Sequence, residues 1–237
     1  MAIVQPKAVI AVGDISLFQG SGGNAKDGLG LRLTCEDAML PDLMPPDGTR
    51  ALIFDCDGTL AITRHAHFAG LHQALAAQGF ALSEAWYQDK TGLSLIETCQ
   101  AYGLDHGVRV DPEALRVAHA RVFRTQMPLI RPVDALARVA RHFYGRMPMA
   151  VASGGDTAIV EATLAQIGLR GLFDPVVAIG EITCGKPAPD LFLRAAQVMQ
   201  MPAGACLVYE DSDEGLEAAR RAGMPAVDVR NIAGVAR

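Results

Sequence analysis

The pattern of apolar and polar residues divides the chain into stretches of different character. Ala51–Phe54 is a short, wholly apolar run, which predicts a buried strand. From His67 to about Met127, apolar residues recur at helical spacing, and this predicts a helical insert. After Pro128, short apolar runs alternate with amphipathic segments of helical length. The alternation predicts βαβ units and therefore an α/β fold built on a parallel sheet.

The predicted elements follow from this pattern and from the residues that start and stop helices. The helices of the insert are Phe68–Ala77, Leu95–Ala101 and Pro112–Thr125, the last with Asp111 as its cap. Right-handed crossovers in the part that follows place the carboxyl ends of all parallel strands at one edge of the sheet. That part contains, in order, the helix Val133–Phe143, the strand Pro148–Ala152, the helix Thr157–Gln166, the strand Pro175–Ala178, the helix Asp190–Met199, the strand Cys206–Tyr209, the helix Glu214–Ala222 and the strand Ala226–Val229.

Residues 1–48 follow neither pattern. Gly20–Asn24 and Gly28–Gly30 are rich in glycine, although Ala8–Val12 and Ile15–Phe18 each have the composition of a short strand. The glycines do not match a phosphate-binding loop, because no lysine follows them at the required spacing. We interpret residues 1–48 as an N-terminal extension that is flexible in part.

Polar side chains follow the predicted strands, and a lysine lies in a loop ahead of a helix. Because parallel strands end at the same edge, we expect these side chains to lie close together. Strand side chains alternate between faces, so Asp55 and Asp57 can point the same way while Cys56 points into the core. The alternative is that both acids are solvated turn residues. The residues expected at this edge are Asp55, Asp57, Ser153, Gly154, Lys186, Glu210 and Asp211.

The acids of this set have the chemistry of a metal-dependent phosphoryl-transfer site. The carboxylates of Asp55 and Asp211, with Glu210, suit Mg²⁺, which prefers oxygen ligands. Asp55 would attack phosphorus and form an aspartyl-phosphate. Asp57 would protonate the leaving oxygen and later activate water.

The remaining groups of the set suit a bound phosphate, which needs positive charge and hydrogen-bond donors. Lys186, the hydroxyl of Ser153 and the N–H of Gly154 would supply them. Thr59 either contacts the phosphate or supports the turn through its hydroxyl. These residues make a small phosphorylated molecule the expected substrate.

Composition narrows the classes of partner. The net charge is −5 and basic residues form no cluster, so we expect no binding of nucleic acid. No apolar run reaches membrane-spanning length, so we predict neither a membrane span nor a signal peptide. The five cysteines are scattered, which fits free thiols in a reducing compartment. We therefore expect a cytoplasmic protein, with a monomer as the default and the oligomeric state open.

Taken together, four segments resemble the signatures of the haloacid dehalogenase-like hydrolase superfamily, and most closely its β-phosphoglucomutase-like branch. The resemblance covers about residues 50–230 and implies a Rossmann-like core in three α/β/α layers with an inserted helical cap. It divides the chain into a core of residues 49–63 and 130–237 and a cap of residues 64–129. It also implies Mg²⁺, held partly by the backbone carbonyl of Asp57. The four segments are Phe54–Leu60, Ala152–Gly155, Gly185–Asp190 and Tyr209–Ala219.

The branch contains both phosphatases of hexose phosphates, such as fructose 1-phosphate, and sugar-phosphate mutases. Dehalogenases of the superfamily lack the second acid and the metal, so Asp57 argues against dehalogenation. Mutases carry a cap arginine that holds a second phosphate; Leu95 stands at that position, and Lys90 replaces it only in part. We therefore expect a Mg²⁺-dependent phosphatase of a small phosphorylated sugar or sugar acid, with a mutase as the alternative. A second alternative is a non-catalytic relative that binds a partner through residues 1–48.

Further residues receive a role from the resemblance or from helix capping. His67 aligns with a cap-hinge histidine of the family, and we expect it to reach Asp57 at the substrate site. Lys90 is the cap residue expected to contact the substrate. Asp156 and Asp213 are each expected to cap the helix that follows them.

Overall fold

The computed structural model describes residues 41–90 and 93–231. Both short strands predicted near the N-terminus, and all of the extension before residue 41, lie outside the described residues. Five strands form a parallel sheet, and two shorter ones form an antiparallel pair. The strands are β1 (Ala51–Phe54), β2 (Ala61–Ile62), β3 (Arg131–Pro132), β4 (Met149–Ser153), β5 (Val176–Ala178), β6 (Cys206–Glu210) and β7 (Ala226–Asp228).

Strand β1 lies at the centre of the sheet. The order is β5-β4-β1-β6-β7, and every neighbouring pair is parallel. The chain fills one side of β1 with β4 and β5 and then crosses to the other side for β6 and β7. In sheets of this kind, ligands bind at the carboxyl ends of the strands where the order reverses. The predicted parallel core is confirmed, and the end of β1 lies at the position where a ligand is expected.

Helices surround the sheet and fill the insert between β2 and β3. Since β2 and β3 pair with each other, the entrance and the exit of the insert lie side by side. The described residues contain the helices α1 (Arg64–Ala76), α2 (Glu84–Asp89), α3 (Leu95–His106), α4 (Pro112–Gln126), α5 (Asp134–Phe143), α6 (Thr157–Gln166), α7 (Asp190–Val198) and α8 (Asp213–Arg221).

The structure departs from the predicted elements mainly in the insert. Helix α1 begins at Arg64 rather than Phe68, because its first turn carries polar residues outside the apolar pattern. Helix α2 and the pair β2–β3 are not predicted, because they are too short to show a period. Helix α3 continues beyond Ala101 to His106, and Gly107 ends it in the left-handed conformation.

Alternation of side chains along the strands gives the sheet two apolar faces. Leu52 and Phe54 of β1 belong to one cluster with residues of α5 and α6, whereas Ala51 and Ile53 belong to another with residues of α7 and α8. Helices therefore cover both faces of the sheet. The expected three-layer, Rossmann-like architecture is confirmed.

The core begins before the predicted boundary at residue 48. Leu43 is fully buried in the same cluster as Phe54. The hydroxyl of Tyr209 donates a hydrogen bond to the carbonyl oxygen of Leu43 at 2.6 Å. Leu43, within the predicted extension, therefore packs in the core, while the limit of the extension at residue 48 stays a prediction.

Helices α1, α3 and α4 enclose an apolar cluster of their own. It contains Leu71 and Leu75 of α1, Tyr102 of α3 and Leu115 of α4. The helical insert is therefore present as predicted, while the domain limits at residues 64 and 129 stay a prediction.

Two further expectations concern membranes and thiols. Within residues 41–90 and 93–231, no helix combines the length and the apolar character that crossing a membrane requires. Cys56, Cys99, Cys184 and Cys206 are free thiols, while Cys35 lies outside the described residues. The cytoplasmic location stays a prediction.

Candidate active site

The predicted polar residues meet at the carboxyl edge of the sheet. Phe54 of β1 is in register with Val151 of β4 and with Tyr209 of β6, so the three strands end at nearly the same level. Asp55 follows β1 directly, and the side chains at the ends of β4 and β6 lie beside it. The register of the parallel strands thus brings together residues about 100 and 150 positions apart.

Lys186 links two of the acids. It lies in the loop before α7, and its Nζ donates hydrogen bonds to Oδ1 of Asp55 at 2.5 Å and to Oε2 of Glu210 at 2.6 Å. Its side chain is only 9% exposed. Burial alone would lower the pKa of Lys186, but the carboxylates of Asp55 and Glu210 outweigh burial and raise it. The lysine is therefore a fixed positive charge beside the end of β1.

Negative charge nevertheless exceeds positive charge at this edge. Carboxylate oxygens of Asp55, Glu210 and Asp211 lie within 4.8 Å of one another. Burial raises the pKa of Asp55 well above its ordinary value, and the charge of Glu210 raises it further, although the charge of Lys186 lowers it in part. Burial and Glu210 likewise raise the pKa of Asp211 to about 7. A cation with oxygen ligands would relieve this repulsion, so the donor set fits Mg²⁺.

The turn after β6 holds Glu210 in place. Oε1 of Glu210 accepts hydrogen bonds from the N–H of Asp211 at 3.1 Å, from the N–H of Ser212 at 3.0 Å and from the hydroxyl of Ser212 at 2.7 Å. A Cβ on Gly215 would come within 2.0 Å of the Glu210 carboxyl carbon. Sequence reasoning missed Ser212 and Gly215, although a serine before a helix is itself a capping signal.

One capping prediction is wrong at the same turn. The cap of α8 is Ser212, whose hydroxyl accepts from the N–H of Gly215 at 3.1 Å. Asp213 is the first residue of the helix, is 82% exposed and pairs with Arg230 at 2.7 Å. The hydroxyl of Ser212 already accepts a hydrogen bond from the first turn of α8, so Asp213 does not act as its cap. The other prediction is confirmed, since Asp156 accepts from the N–H of Ala158 at 3.0 Å.

The turn after β1 closes over Asp211. Gly58 has φ +86°, and a Cβ there would lie 2.0 Å from Oδ2 of Asp211. The hydroxyl of Thr59 donates to Oδ1 of Asp211 at 3.3 Å. Because Thr59 is fully buried, it supports Asp211 in this conformation, and its contact with phosphate stays a prediction.

Asp57 occupies the other side of the site, next to α1 of the helical insert. Nε2 of His67 lies 3.1 Å from Oδ1 of Asp57, as the family alignment predicts. Burial raises the pKa of Asp57, but His67, a hydrogen bond from Thr63 and the charge of Lys186 together bring it below its ordinary value. Asp57 is therefore ionised at neutral pH, and the two acids of the first motif have different environments.

Ser153 and Asp57 border the same space. A Cβ on Gly155 would lie 3.3 Å from Oγ of Ser153 and 3.6 Å from Oδ2 of Asp57. Oγ of Ser153 accepts from the N–H of Gly155 at 3.1 Å. Apart from its chain neighbours, no described residue lies within 4 Å of the position of a Cβ on Gly154, so open space adjoins this residue. The binding of phosphate by Ser153 and Gly154 stays a prediction.

Lys90, the predicted cap residue, has partners within the helical insert. Its Nζ lies 2.9 Å from Oδ2 of Asp105 and 5.6 Å from the ring centre of Trp86. The indole N–H of Trp86 donates to the same carboxylate oxygen at 3.0 Å. Leu95 starts α3 and packs against the apolar cluster of the insert. The contact of Lys90 with substrate stays a prediction, since these partners already compensate its charge.

Comparison with known proteins finds a matching family and several similar proteins. Residues 49–223 match the family model of the haloacid dehalogenase-like hydrolases. The chain is 39% identical to fructose-1-phosphate phosphatase YqaB of Escherichia coli (strain K12), over 76% of this chain and 95% of that protein. Among solved structures, a hydrolase from Pseudomonas syringae aligns with a TM-score of 0.70 and 25% identity, over 76% of this chain and 84% of that one. CbbY from Rhodobacter sphaeroides, in complex with phosphate, aligns with a TM-score of 0.68 and 26% identity, over 75% of this chain and 84% of that one.

Proposed function

Because the chain belongs to the haloacid dehalogenase-like hydrolase family, we propose that it is a Mg²⁺-dependent phosphatase of a small phosphorylated sugar or sugar acid. The observation that carries the proposal is the contact of Lys186 with both Asp55 and Glu210 at the end of β1. It brings the proposed nucleophile Asp55 next to a fixed positive charge, within a cluster of acids that could hold a metal ion. The relative that is 39% identical is a fructose-1-phosphate phosphatase, which makes fructose 1-phosphate the first substrate to test.

The acids would hold the metal, and the lysine, serine and glycine of the site would bind the phosphoryl group. Asp55, Asp211, Glu210 and the backbone carbonyl of Asp57 would hold Mg²⁺, because they supply only oxygen ligands and an excess of negative charge. Bound Mg²⁺ supplies positive charge that stabilises a phosphoryl group. Lys186 would add a second positive charge, and Ser153 and Gly154 would donate hydrogen bonds to the phosphoryl oxygens.

Asp55 is the proposed nucleophile. Lys186 holds its Oδ1, which fixes the carboxylate and leaves the other oxygen available for attack on phosphorus. As the bond from Asp55 to phosphorus forms, the bond from phosphorus to the sugar oxygen breaks, and its electron pair stays on that oxygen. Asp57 gives this oxygen a proton, and the sugar leaves as the free alcohol.

Asp57 then serves as a base for the second half of the reaction. It takes a proton from a water molecule that attacks the phosphorus of the aspartyl-phosphate, which releases phosphate and restores Asp55. The lowered pKa of Asp57 keeps the carboxylate ionised, so it is free to accept this proton. For the first half, the negative charge of a bound phosphoryl group favours the protonated form of the same carboxyl.

The test is release of phosphate from a panel of sugar phosphates, with and without EDTA. We expect release that requires Mg²⁺ and that falls by about 10³-fold or more in Asp55→Asn, because the amide is not a nucleophile. Asp213→Asn is the matched control, since this exposed acid lies two residues after Asp211 and outside the cluster. Full activity of Asp55→Asn would refute the nucleophile assignment.

The same assay distinguishes the alternatives. A mutase would convert β-glucose 1-phosphate to glucose 6-phosphate with little net release of phosphate. A non-catalytic relative would show neither reaction on any substrate of the panel. Either result would replace the phosphatase proposal.

A further inference from the structure

A second histidine lies behind the one that contacts Asp57. His119 of α4 is 3% exposed, and its Nε2 lies 3.2 Å from Nδ1 of His67 on α1. The other ring nitrogen of His67, Nε2, lies 3.1 Å from Oδ1 of Asp57. The three side chains form a row of hydrogen bonds that runs from the interior of the insert to the carboxyl edge of the sheet.

The direction of these hydrogen bonds follows from the positions of the ring nitrogens. Nε2 of His119 and Nδ1 of His67 face each other at 3.2 Å, so one donates and the other accepts. With His119 as the donor, Nδ1 of His67 accepts, and the ring proton of His67 lies on Nε2. From there it is shared in a hydrogen bond to Oδ1 of Asp57.

The unpaired nitrogen of His119 supports the same assignment. Nδ1 of His119 is buried and has no hydrogen-bond partner within the described residues. A proton on that atom would be a buried, unsatisfied N–H, which is rarer and more costly than an unsatisfied acceptor. Burial and the neighbouring His67 lower the pKa of His119 to about 3, so the ring carries a single proton. That proton therefore lies on Nε2, facing His67.

The surrounding residues fit the ring of His119 closely. A Cβ on Gly70 of α1 would lie 2.6 Å from Cδ2 of His119. The imidazole therefore packs against the backbone of α1 at a position where a side chain would collide with it. The rings of His67 and His119 are stacked at 5.3 Å between centres with an angle of 18°. Phe123, one turn along α4, packs against His67 at 4.6 Å. These contacts leave His119 little freedom to turn its Nε2 away.

The two oxygens of Asp57 have different surroundings. Oδ1 faces His67, whereas Oδ2 lies on the side of Ser153 and Gly155, the side proposed for the phosphate. When Asp57 is protonated, its proton can lie on either oxygen. If His67 could become an acceptor at Nε2, the proton would be drawn to Oδ1, away from the leaving group.

We propose that His119 is a positioning residue that keeps His67 a hydrogen-bond donor to Asp57, so that the proton transferred by Asp57 lies on Oδ2. The inference rests on the proposed acid–base role of Asp57. The donor from His119 occupies Nδ1 of His67 in both protonation states of Asp57, and so prevents the switch to the other tautomer.

The tautomer of His67 can be read from the ¹⁵N resonances of its ring in the full-length protein with Mg²⁺. In Asp57→Asn, which mimics the neutral carboxyl, we expect Nδ1 of His67 to remain unprotonated. Adding His119→Leu, which removes the donor, should give a mixture of tautomers, and adding His119→Gln, which retains a side-chain N–H, should restore one. A single Nδ1-unprotonated form with Leu at position 119, or a protonated Nδ1 already in Asp57→Asn, would refute the proposal.

Kinetics test the consequence for the reaction. We expect His119→Leu to lower kcat by about tenfold with KM nearly unchanged, and His119→Gln to recover most of the loss, because a positioned acid contributes about 10²–10⁴-fold. His72→Gln, an exposed histidine on the same helix as His67, is the control and should leave both constants unchanged.

The two readouts separate the possible failures. Equal losses in His119→Leu and His119→Gln that follow the fraction of folded protein would show that His119 only packs, and would refute the proposal. If the parent protein hydrolyses no sugar phosphate, the proposed function fails, while the resonances of His67 still decide the role of His119.

Discussion

Excess negative charge determines what single side chains do in this site. Asp55, Asp57, Glu210 and Asp211 share their surroundings with the ammonium group of Lys186. Buried acids of this kind are costly unless cations or hydrogen bonds compensate them. Lys186 compensates Asp55 and Glu210, the turn N–H groups compensate Glu210, and His67 donates to Asp57. Burial and the charge of Glu210 still raise the pKa of Asp211 to about 7, against Lys186 and a hydrogen bond from Thr59.

A first prediction concerns acid stability and His119. The unfolded residue titrates near pH 6.5, whereas burial lowers the pKa in the folded protein to about 3. Between these values the unfolded chain binds more protons, so the free energy of unfolding should rise with pH across this window, by at most about 1.4 kcal/mol per pH unit. His119→Gln should remove this contribution.

Urea unfolding of the two proteins across this pH window measures the effect. The free energy of unfolding of the parent should rise more steeply with pH than that of His119→Gln. Parallel curves would mean that His119 is not buried in its neutral form.

Three glycines, one in a turn and two in helices, lie where neighbouring elements approach each other most closely among the described residues. The turn after β1 brings Gly58 against Asp211, and the start of α8 brings Gly215 against Glu210. Both glycines therefore define where the acids of neighbouring strands can lie. Helix α1 contributes in the same way, since Gly70 leaves the space that His119 occupies.

Gly58→Ala should affect both the stability and the metal site. The backbone has φ +86°, and the new Cβ would lie 2.0 Å from Oδ2 of Asp211. Gly79→Ala is the matched control, because Gly79 has φ +85° but, among the described residues beyond its chain neighbours, no atom lies within 4 Å of a Cβ there. We expect Gly79→Ala to cost about 1–2 kcal/mol, the cost of the left-handed conformation alone. Gly58→Ala should cost more and also weaken the stabilisation by Mg²⁺.

Thermal unfolding of both variants, with and without Mg²⁺, tests this prediction. Equal losses of stability and equal responses to Mg²⁺ would show that the approach of Gly58 to Asp211 has no consequence for the metal site.

At the level of the whole protein, metal binding and folding should be coupled. Repulsion among the acids opposes folding, and Mg²⁺ relieves it by binding to the folded site. By mass action, Mg²⁺ should stabilise the folded chain by about 2.7 kcal/mol at a hundredfold excess over its Kd. For a chain of this length that corresponds to a rise in Tm of about 5–10 °C. EDTA should reverse the rise and abolish activity.

Asp211→Asn should separate the two effects. Removing one carboxylate should raise the Tm of the metal-free protein and reduce the further rise with Mg²⁺, because repulsion and metal affinity fall together. Asp213→Asn, outside the cluster, should behave like the parent. A parent protein whose Tm does not respond to Mg²⁺ would contradict the proposed metal site.

The sequence by itself determined the parallel core and the residues at its carboxyl edge. Both are local properties: strands and helices have different periods, and Asp55, Ser153 and Glu210 stand directly at the ends of apolar runs. Parallel strands end at one edge, so identifying the strands was enough to bring these residues together. The order of the signatures then indicated the family before any contact was known.

Only the tertiary structure decided which residues contact one another across the fold. The contacts of Lys186 with Glu210, of His119 with His67 and of Leu43 with Tyr209 depend on how whole elements pack. Such contacts join residues far apart in the chain, and their distances are set by packing angles that no local period encodes. The cap of α8 is a different case, because it is a local contact: the sequence analysis assigned it to Asp213, although Ser212, one residue earlier, carries the same capping signal.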